Sequence, residues 1–143
     1  MKILPMLFNS DVEALLIQHG LPYEDLSGAT QVTLFGIKEG EDLVAMIGVE
    51  AYQEEGLIRS LAVNKAHQGS ALGRALVQHA ENWANNEGIK ALYLLTTTAK
   101  EYFSLLGYQV ISRQEAPTSI GNTEQFSSLC PASASFMKKA LIE

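Results

Sequence analysis

The chain has 143 residues and a mass of 15.6 kDa, so we expect residues 1–143 to form a single domain. Hydrophobic residues make up 47% of it and charged residues 18%, a balance that can fill a core and excludes intrinsic disorder. Sixteen acidic against ten basic residues give a net charge of −6, which disfavours binding to the phosphate backbone of nucleic acids.

The first residues and the apolar runs predict where the protein resides. Residues 1–8 carry one positive charge and an apolar stretch that is too short for a signal peptide. The longest other apolar run, residues 43–49, is far below the roughly 18 residues of a membrane-spanning helix. Cys130 is the only cysteine, so the chain cannot form an internal disulfide framework. We therefore expect a cytoplasmic protein without a membrane partner.

The first half of the sequence predicts one helix followed by three strands. Asn9 or Ser10 can cap the helix, and Gly20 followed by Pro22 ends it. Runs of β-branched and aromatic residues, separated by turn residues, then mark strands over residues 32–37, 43–52 and 57–63. Because the connections between these strands are short, we expect an antiparallel meander.

The second half alternates helices and strands. Apolar residues at helical spacing predict a long helix that begins near Leu72 and ends at residues 85–88. Residues 91–97 are almost continuously apolar, which predicts a central strand parallel to its neighbour. We further expect a helix over 99–106, a strand over 108–112, a helix from Pro117 to Phe126 or Leu129, and a terminal strand over 135–141, for which a helix is the alternative.

A loop of small residues lies between the third strand and the long helix. Its members Gly69, Ser70, Ala71 and Gly73 would let a ligand approach the backbone N–H groups at the start of the helix. These N–H groups and the helix dipole favour an anion such as a pyrophosphate. The loop has neither the Gly-Lys-Ser/Thr of a Walker loop nor the G-x-G-x-x-G of a dinucleotide fold, so it does not indicate NTP hydrolysis.

Two stretches resemble the GNAT superfamily of N-acetyltransferases. Gln68-x-x-Ala71-x-Gly73 is similar to its acetyl-CoA signature, Gln/Arg-x-x-Gly-x-Gly/Ala, with alanine where glycine is commoner. Residues 99–108 are similar to its second-helix motif, Ala-x-x-Phe-Tyr-x-x-x-Gly-Phe. The resemblance covers about residues 30–112, and stretches within residues 94–139 resemble the arsenic-resistance N-acetyltransferase branch.

The resemblance implies an α/β fold with a splayed, mixed, mostly antiparallel sheet and helices on both faces. It implies acetyl-CoA as co-substrate and a primary amine as acceptor, and dimerisation is common in the superfamily, so a homodimer is among the expected assemblies. Leu61 and Val63 would offer backbone groups to the pantetheine arm. The other residues that the resemblance implies for cofactor binding are Gln68, Gly69, Ser70, Ala71, Leu72, Gly73, Arg74 and Phe103.

Acetyl transfer needs a neutral amine and a proton for the leaving thiolate. The usual acid of the superfamily is a tyrosine whose motif position is occupied here by Phe103, which cannot donate a proton. Tyr102 is adjacent but about 100° round the helix, which favours a different direction, and Tyr108 begins the next strand. Each is a candidate acid, with packing as the alternative. Glu50 is the main candidate for the base or amine ligand, Glu54 or Glu55 near the turn could also face the cleft, and a solvated carboxylate is the alternative.

Two arginines indicate the class of acceptor. Arg59 lies inside a predicted strand, where a charge needs a partner or a cleft, and it could bind an acid group of the acceptor together with Arg113. A salt bridge from Arg59 to Glu50 or Glu54 is the alternative. Thr97 at the end of the central strand could also contact substrate. We therefore expect a small, acidic, amino-acid-like acceptor, and the branch resemblance implies one with an arsenic or phosphinic group.

Other functions remain open at this point. A non-catalytic module that binds acyl-CoA or a protein partner is the main alternative, because Phe103 and Ala71 depart from the superfamily pattern. An enzyme that acetylates protein amines is a second alternative, since an acidic surface can recruit basic peptides. His19, His67 and His79 lack the spacing of metal ligands, so we expect no metal site.

Overall fold

A mixed sheet is the frame of the described part of the chain, which in this computed structural model comprises residues 2–27, 32–69, 71–129 and 133–141. Seven strands in these ranges follow the order β1-β2-β3-β4-β5-β7-β6. They are β1 (Ile3–Met6), β2 (Val32–Glu39), β3 (Asp42–Tyr52), β4 (Glu55–Val63), β5 (Ala91–Thr96), β6 (Gln109–Val110) and β7 (Ser135–Ala140). The α-helices are α1 (Ser10–Gln18), α2 (Leu72–Asn86), α3 (Lys100–Leu105) and α4 (Thr118–Gly121).

The sheet opens between β4 and β5. These two strands are parallel and pair at three described positions, from Glu55 opposite Ala91 to Leu57 opposite Tyr93. Beyond that point β5 continues to pair with β7 as far as Thr96, whereas β4 continues beside β3. The two strands therefore diverge, and a gap forms in the middle of the sheet.

A bulge in β4 lies beside this gap. Met46 pairs with Ala62 and Gly48 pairs with Arg59, so two residues of β4 lie opposite one residue of β3. One of the two, Ser60, has a φ of +61°, which residues other than glycine seldom adopt. A bulge bends its strand and redirects side chains. Residues 58–61 accordingly all border the gap, which regular alternation would not allow.

Helices cover both faces of the sheet. Phe35 of β2 belongs to a buried cluster with Leu76 of α2, whereas the adjacent Leu34 belongs to a second cluster with Leu16 of α1. Successive side chains of a strand point to opposite faces, so α1 and α2 lie on opposite sides. α3 packs on the side of α2, and α4 packs on the side of α1. The predicted α/β fold with a splayed, mostly antiparallel sheet is confirmed.

The predicted elements of the first two thirds of the chain are confirmed. The Val12 N–H donates to Asn9 Oδ1 at 3.0 Å, which makes Asn9 the cap of α1. The three meander strands, α2, the parallel strand β5 and α3 lie where the patterns placed them. β1 was not predicted, because it is four residues long, lacks a clear alternation and contains Pro5, which suits an edge strand.

The last third differs from the prediction at two elements. The strand predicted over 108–112 is reduced to β6, which is two residues long and pairs with β7. The helix predicted from Pro117 ends at Gly121, and a π-helical turn over Gln125–Leu129 follows. Thr123 explains the break, because its Oγ1 donates to Ile120 O at 2.8 Å and accepts from the Phe126 N–H at 3.2 Å. The terminal strand is confirmed as β7.

Candidate functional site

Two clefts meet at the gap between β4 and β5. The first, which we call the α2 cleft, has a volume of about 650 Å³ and lies between β4 and the start of α2. It is lined by all the described residues that were predicted to bind cofactor except Phe103, namely Leu61, Val63, Gln68, Gly69, Ala71, Leu72, Gly73 and Arg74. Ser70 lies outside the described residues.

The loop before α2 has the backbone conformation of an anion site. Gly69 and Ala71 have φ values of +84° and +69°, the left-handed region that glycine adopts without strain. Ala71 is the N-cap of α2 and gives it no side-chain cap, so N–H groups of the first turn stay available for a ligand. The conformation of Ala71 explains why glycine is commoner at this motif position. The chain keeps the loop with alanine at a cost in backbone strain.

Side chains fix the remainder of the α2 cleft. Gln68 Nε2 donates to Val63 O at 3.1 Å and so ties the loop back to β4. A Cβ on Gly73 would lie 2.9 Å from the Tyr102 hydroxyl oxygen, which places that hydroxyl directly over the start of α2. As expected, Tyr102 points in a different direction from the adjacent Phe103: α3 presents Tyr102 to the α2 cleft and Phe103 to the second cleft.

The second cleft, which we call the β4–β5 cleft, occupies the gap itself and has a volume of about 260 Å³. Its walls are residues 58–61 of β4, residues 94–99 at the end of β5, residues 20–22 after α1, and the side chains of Phe103, Gln125 and Ala134. Thr97, which was predicted to contact substrate, lies in this wall. Leu61 and Ala99 line both clefts, so the two clefts are continuous.

Arg59 in the wall of the β4–β5 cleft is saturated with acceptors. Its Nε donates to Ser60 Oγ at 3.2 Å, and its Nη1 donates to Asp25 and, at 2.9 Å, to Glu50 Oε2. Its Nη2 donates to Asp25 Oδ1 at 2.7 Å and to Pro22 O at 3.4 Å. A guanidinium has five N–H donors, and these bonds use all five.

The Arg59 network is buried and carries an excess of acid. Asp25, Glu50 and Arg59 are each at most 9% exposed, so their charges depend on one another for compensation. Burial alone would lower the pKa of Arg59, but hydrogen bonds and charges from Asp25 and Glu50 raise it, so the guanidinium stays charged. The network thus sets two carboxyl groups against one guanidinium. The salt bridge from Arg59 to Glu50 is present. Asp25, which the sequence did not indicate, accepts two hydrogen bonds from Arg59, whereas Glu50 accepts one.

Glu50 lies behind Arg59 rather than in either cleft wall. Its Oε1 accepts from the Tyr52 hydroxyl at 2.5 Å and its Oε2 accepts from Arg59. Burial, followed by the hydrogen bond to Glu50, raises the pKa of Tyr52, so this hydroxyl remains a donor. The geometry therefore gives Glu50 a role in holding Arg59 and no direct access to an acceptor amine.

Tyr108 is not placed to act as the general acid. Its hydroxyl donates to Glu81 Oε2 at 2.9 Å on α2, and the side chain lines neither cleft. Burial, followed by the charge of Glu81, raises the pKa of Tyr108 and keeps it protonated. Its ring packs edge-on against Phe103 with centroids 5.6 Å apart. The packing alternative describes this tyrosine, because its hydroxyl is bound to α2 and its ring belongs to the core cluster.

Arg113 also has partners other than a substrate. Its Nη2 donates to Ala134 O at 3.0 Å, and its guanidinium carbon lies 5.3 Å from the centre of the Phe126 ring. It does not line the β4–β5 cleft, although its partner Ala134 does. Arg113 therefore supports the wall before β7 instead of reaching into the cleft.

The sequence did not indicate two residues that line the clefts, Gln125 and His19, or the Arg59 partner Asp25. Asp25 lies in a short 3-10 turn over Glu24–Ser27, Gln125 lies in the π-helical turn, and His19 follows α1. Only the tertiary fold brings Gln125 and His19 to the cleft walls and Asp25 to Arg59. The one local signal was the charge of Arg59 inside a predicted strand, which required a partner from somewhere in the chain.

The described ranges contain no group of three or more His, Cys, Asp or Glu side chains arranged to hold a metal ion. They also contain no helix that is long and apolar enough to span a membrane.

Comparisons of sequence identify relatives of this chain. Residues 5–108 match the family described as Acetyltransferase (GNAT) family. The amino-acid acetyltransferase of Pseudomonas syringae pv. tomato is 30% identical over 99 residues, which cover 67% of this chain and 23% of that protein. An uncharacterised N-acetyltransferase of Chlorobaculum tepidum is 35% identical over 63 residues, which cover 44% of this chain and 40% of that protein. The chain thus spans about a quarter of the length of the amino-acid acetyltransferases it matches.

Solved structures with the same fold include enzymes bound to ligands. N-acetylglutamate synthase from Neisseria gonorrhoeae, complexed with coenzyme A and N-acetyl-glutamate, has a TM-score of 0.78 and 18% identity, and the match covers 100% of this chain and 36% of that one. An acetyltransferase of the GNAT family from Staphylococcus aureus has a TM-score of 0.76 and 16% identity, with 99% and 100% covered. At these identities the likeness establishes the fold.

Proposed function

This chain belongs to the acetyltransferase (GNAT) family, and from that premise we propose that it transfers the acetyl group of acetyl-CoA to the primary amine of a small amino-acid-like acceptor. The observation that carries the proposal is the continuity of the two clefts at Leu61 and Ala99. One cleft contains a loop prepared for an anion, and the other contains a small space beside the diverging strands. A thioester and an amine need to meet at such a junction.

The α2 cleft fits the parts of CoA that need polar partners. The pyrophosphate would be held by N–H groups of the first turn of α2 and by the Arg74 side chain, because both favour negative charge. The pantetheine arm would lie along β4, whose residues Leu61 and Val63 have no β5 partner in the described register. Acetyl-CoA is a substrate in this scheme and supplies the activated acetyl group.

The transfer requires few side chains. The neutral amine attacks the thioester carbonyl carbon, a C–N bond forms, the C–S bond breaks, and the thiolate takes up a proton. Burial raises the pKa of Tyr102, with the charge of Arg74 acting in the opposite direction, so its hydroxyl keeps its proton at neutral pH. We assign the protonation of the thiolate to Tyr102. The proton of the acceptor ammonium leaves through water, since Glu50 lies behind Arg59.

The acceptor that we propose is a small amino acid with an acid group. The P. syringae relative is an amino-acid acetyltransferase, which supports an amino acid, and a 260 Å³ cleft suits a small one. Among the described residues that line the β4–β5 cleft, Arg59 is the only cation. Its bond to Pro22 O at 3.4 Å is the weakest of its five, so an acid oxygen of the acceptor would replace that carbonyl. We therefore propose that the acceptors include amino acids with an acid group, among them phosphinic and arsenic-bearing ones.

The test is release of free thiol from acetyl-CoA with a panel of amines. The panel contains glutamate, aspartate, a phosphinic amino acid, neutral amino acids of the same size, and a peptide with a free amino terminus. We expect turnover with small amino acids and the highest kcat/KM with an acid-bearing one. Turnover restricted to the peptide would contradict a small acceptor, and equal kcat/KM for neutral and acidic amino acids would contradict the role of Arg59.

A second candidate function is a module that binds acyl-CoA without catalysis. The observation in its favour is that Phe103 replaces the usual tyrosine and that Tyr108 is bound to Glu81. In this case calorimetry would detect saturable binding of acetyl-CoA, and no amine of the panel would release thiol. Thiol release with any amine of the panel would exclude it.

A further inference from the structure

Ser60 has a backbone conformation that a strand residue seldom adopts. Its φ is +61°, in the left-handed region where a side chain costs energy and glycine costs none. The residue is 9% exposed and lies within β4, so no solvent-exposed turn requires this conformation. Strain of this kind persists where the surrounding structure holds it, and it is found most often at ligand sites. A serine at this position therefore needs a reason that glycine would not satisfy.

Ser60 is the additional residue in the bulge of β4. Ile58 and Leu61 pack on the side of α2. Arg59 and Ala62 lie on the side of α1. The sides therefore change directly from Arg59 to Leu61, and Ser60 belongs to neither alternating set. It lines the β4–β5 cleft beyond the point where β5 has diverged from β4.

The Ser60 hydroxyl is bound as an acceptor but not as a donor. Arg59 Nε donates to Ser60 Oγ at 3.2 Å, a contact that the regular alternation of strand side chains would prevent. The bulge therefore turns the Ser60 side chain toward Arg59, another residue of the cleft wall. The bond occupies a lone pair of the oxygen, and the described residues give the O–H no acceptor. The hydroxyl proton is thus available to a ligand in the cleft.

The charges around Ser60 determine which ligand atom suits it. Donation from the Arg59 guanidinium polarises the hydroxyl and strengthens it as a donor, because hydrogen bonds in a chain reinforce one another. A charged acid oxygen is the acceptor with which such a donor forms its strongest bond. None of the described residues that line the β4–β5 cleft is acidic, so the wall itself does not repel an acid group.

We propose that Ser60 is a specificity-determining residue and that its hydroxyl donates a hydrogen bond to the side-chain acid group of the acceptor. The inference rests on the proposed function, which places an amino-acid acceptor in the β4–β5 cleft. It gives the acid group a partner beside Arg59, whose donors are already bound to Asp25 and Glu50. The hydroxyl donates its proton without displacing any of these bonds. It is also what glycine could not supply.

Two substitutions separate the hydroxyl from the backbone strain. Ser60→Ala and Ser60→Gly both remove the hydroxyl, but only glycine adopts a φ of +61° without strain. The matched control is Ser119→Ala in α4, which removes a hydroxyl that donates to Glu55 Oε1 at 3.1 Å outside the cleft. We would measure kcat/KM by thiol release for glutamate with glutamine and for aspartate with asparagine. The KM of acetyl-CoA and the Tm of each protein complete the set.

We expect both Ser60 variants to lose about tenfold in the ratio of kcat/KM for the acidic amino acid to that for its amide, because a hydrogen bond to a charged group is removed. The KM of acetyl-CoA should stay within twofold of the wild type. Ser60→Gly should have a higher Tm than Ser60→Ala, since glycine relieves the strain. The two variants should therefore differ in stability and agree in specificity, and Ser119→Ala should keep the wild-type ratio.

Three results would overturn the inference. An unchanged ratio of acid to amide in both Ser60 variants would exclude the hydrogen bond. A loss in Ser60→Ala that Ser60→Gly restores in parallel with Tm, or an equal loss in Ser119→Ala, would show that stability controls the ratio. If the wild type acetylated none of the four amino acids, the proposed function would fail and the inference with it, whereas an unchanged ratio in active variants overturns the inference alone.

Discussion

The residues that line the α2 cleft are mostly close together in sequence, whereas those that line the β4–β5 cleft are far apart. Most of the α2 cleft comes from residues 61–74, a strand end, a loop and a helix start that are consecutive in sequence. The β4–β5 cleft takes its walls from the ends of α1, β4 and β5 and from residues 125 and 134. A local motif therefore determines the first, whereas the second depends on how the whole sheet opens.

The two clefts also differ in where their polar groups stand. The α2 cleft presents backbone N–H groups and the Tyr102 hydroxyl to a ligand. In the β4–β5 cleft the polar group with the most donors, Arg59, is already bound to Asp25 and Glu50. The first cleft is organised for binding, and the second has a rigid wall that shapes a small space.

The largest expected effect is the loss of stability when Arg59 is removed. Arg59→Ala leaves Asp25 and Glu50 buried without their cation, so the free energy of unfolding should fall by about 3–5 kcal/mol in urea denaturation. Lys90→Ala breaks an ion pair with Glu54 in which both side chains are more than half exposed, and it should change stability by less than about 1 kcal/mol. Similar losses in the two variants would show that the network does not hold the wall.

A kinetic comparison of two tyrosines separates the cleft from the core. Tyr102→Phe removes the hydroxyl over Gly73, so kcat for thiol release should fall about tenfold with little change in the KM of acetyl-CoA. Tyr108→Phe removes a hydroxyl bound to Glu81, so it should leave kcat unchanged and lower stability by about 1 kcal/mol. A loss of kcat in Tyr108→Phe alone would reverse the assignment of the acid.

The smallest effect is a gain of stability in the loop of the α2 cleft. Ala71 has a φ of +69°, so Ala71→Gly should relieve backbone strain and raise the free energy of unfolding by up to about 1 kcal/mol. Ala75→Gly, within the exposed face of α2, should lower it by about the same amount, because glycine is a poor helix former. Changes of the same sign in both variants, measured by thermal unfolding, would contradict the strained loop.

The difference between the clefts also explains what the sequence could predict. The residues of the α2 cleft could be predicted to lie together because Gln68, Ala71 and Gly73 are close in sequence and their spacing is tied to one backbone conformation. α2 could be predicted because its apolar residues recur regularly at helical spacing, and β5 because its apolar run is almost continuous. The bulge at Ser60 could not be predicted from the sequence. It consists of two β4 residues that lie opposite one β3 residue, and this shows only once the two strands are paired.

The assignments in the β4–β5 cleft depended on directions that a sequence does not contain. A salt bridge from Arg59 to Glu50 or Glu54 was one of the alternatives, but Arg59 is held in the wall mainly by Asp25, which is 34 positions away from it. The rotation about α3 separated Tyr102 from Phe103 correctly, but it could not say which cleft Tyr102 reaches, because that depends on how the helix packs on the sheet. Tyr108 and Arg113 took partners on α2 and before β7 that only the tertiary fold supplies.

The measurement that tests the central claim most directly is calorimetric binding of acetyl-CoA to the wild type, Gly73→Leu and Ala75→Leu. A side chain on Gly73 would start 2.9 Å from the Tyr102 hydroxyl and 3.6 Å from Val63, and so would fill the α2 cleft. Ala75 is exposed and lies outside the cleft, so Ala75→Leu introduces the same leucine side chain into α2 without obstructing the cleft. We predict saturable binding to the wild type and Ala75→Leu, and at least a hundredfold loss in Gly73→Leu. No binding to the wild type, or equal binding to all three proteins, would contradict the assignment of this cleft to acetyl-CoA.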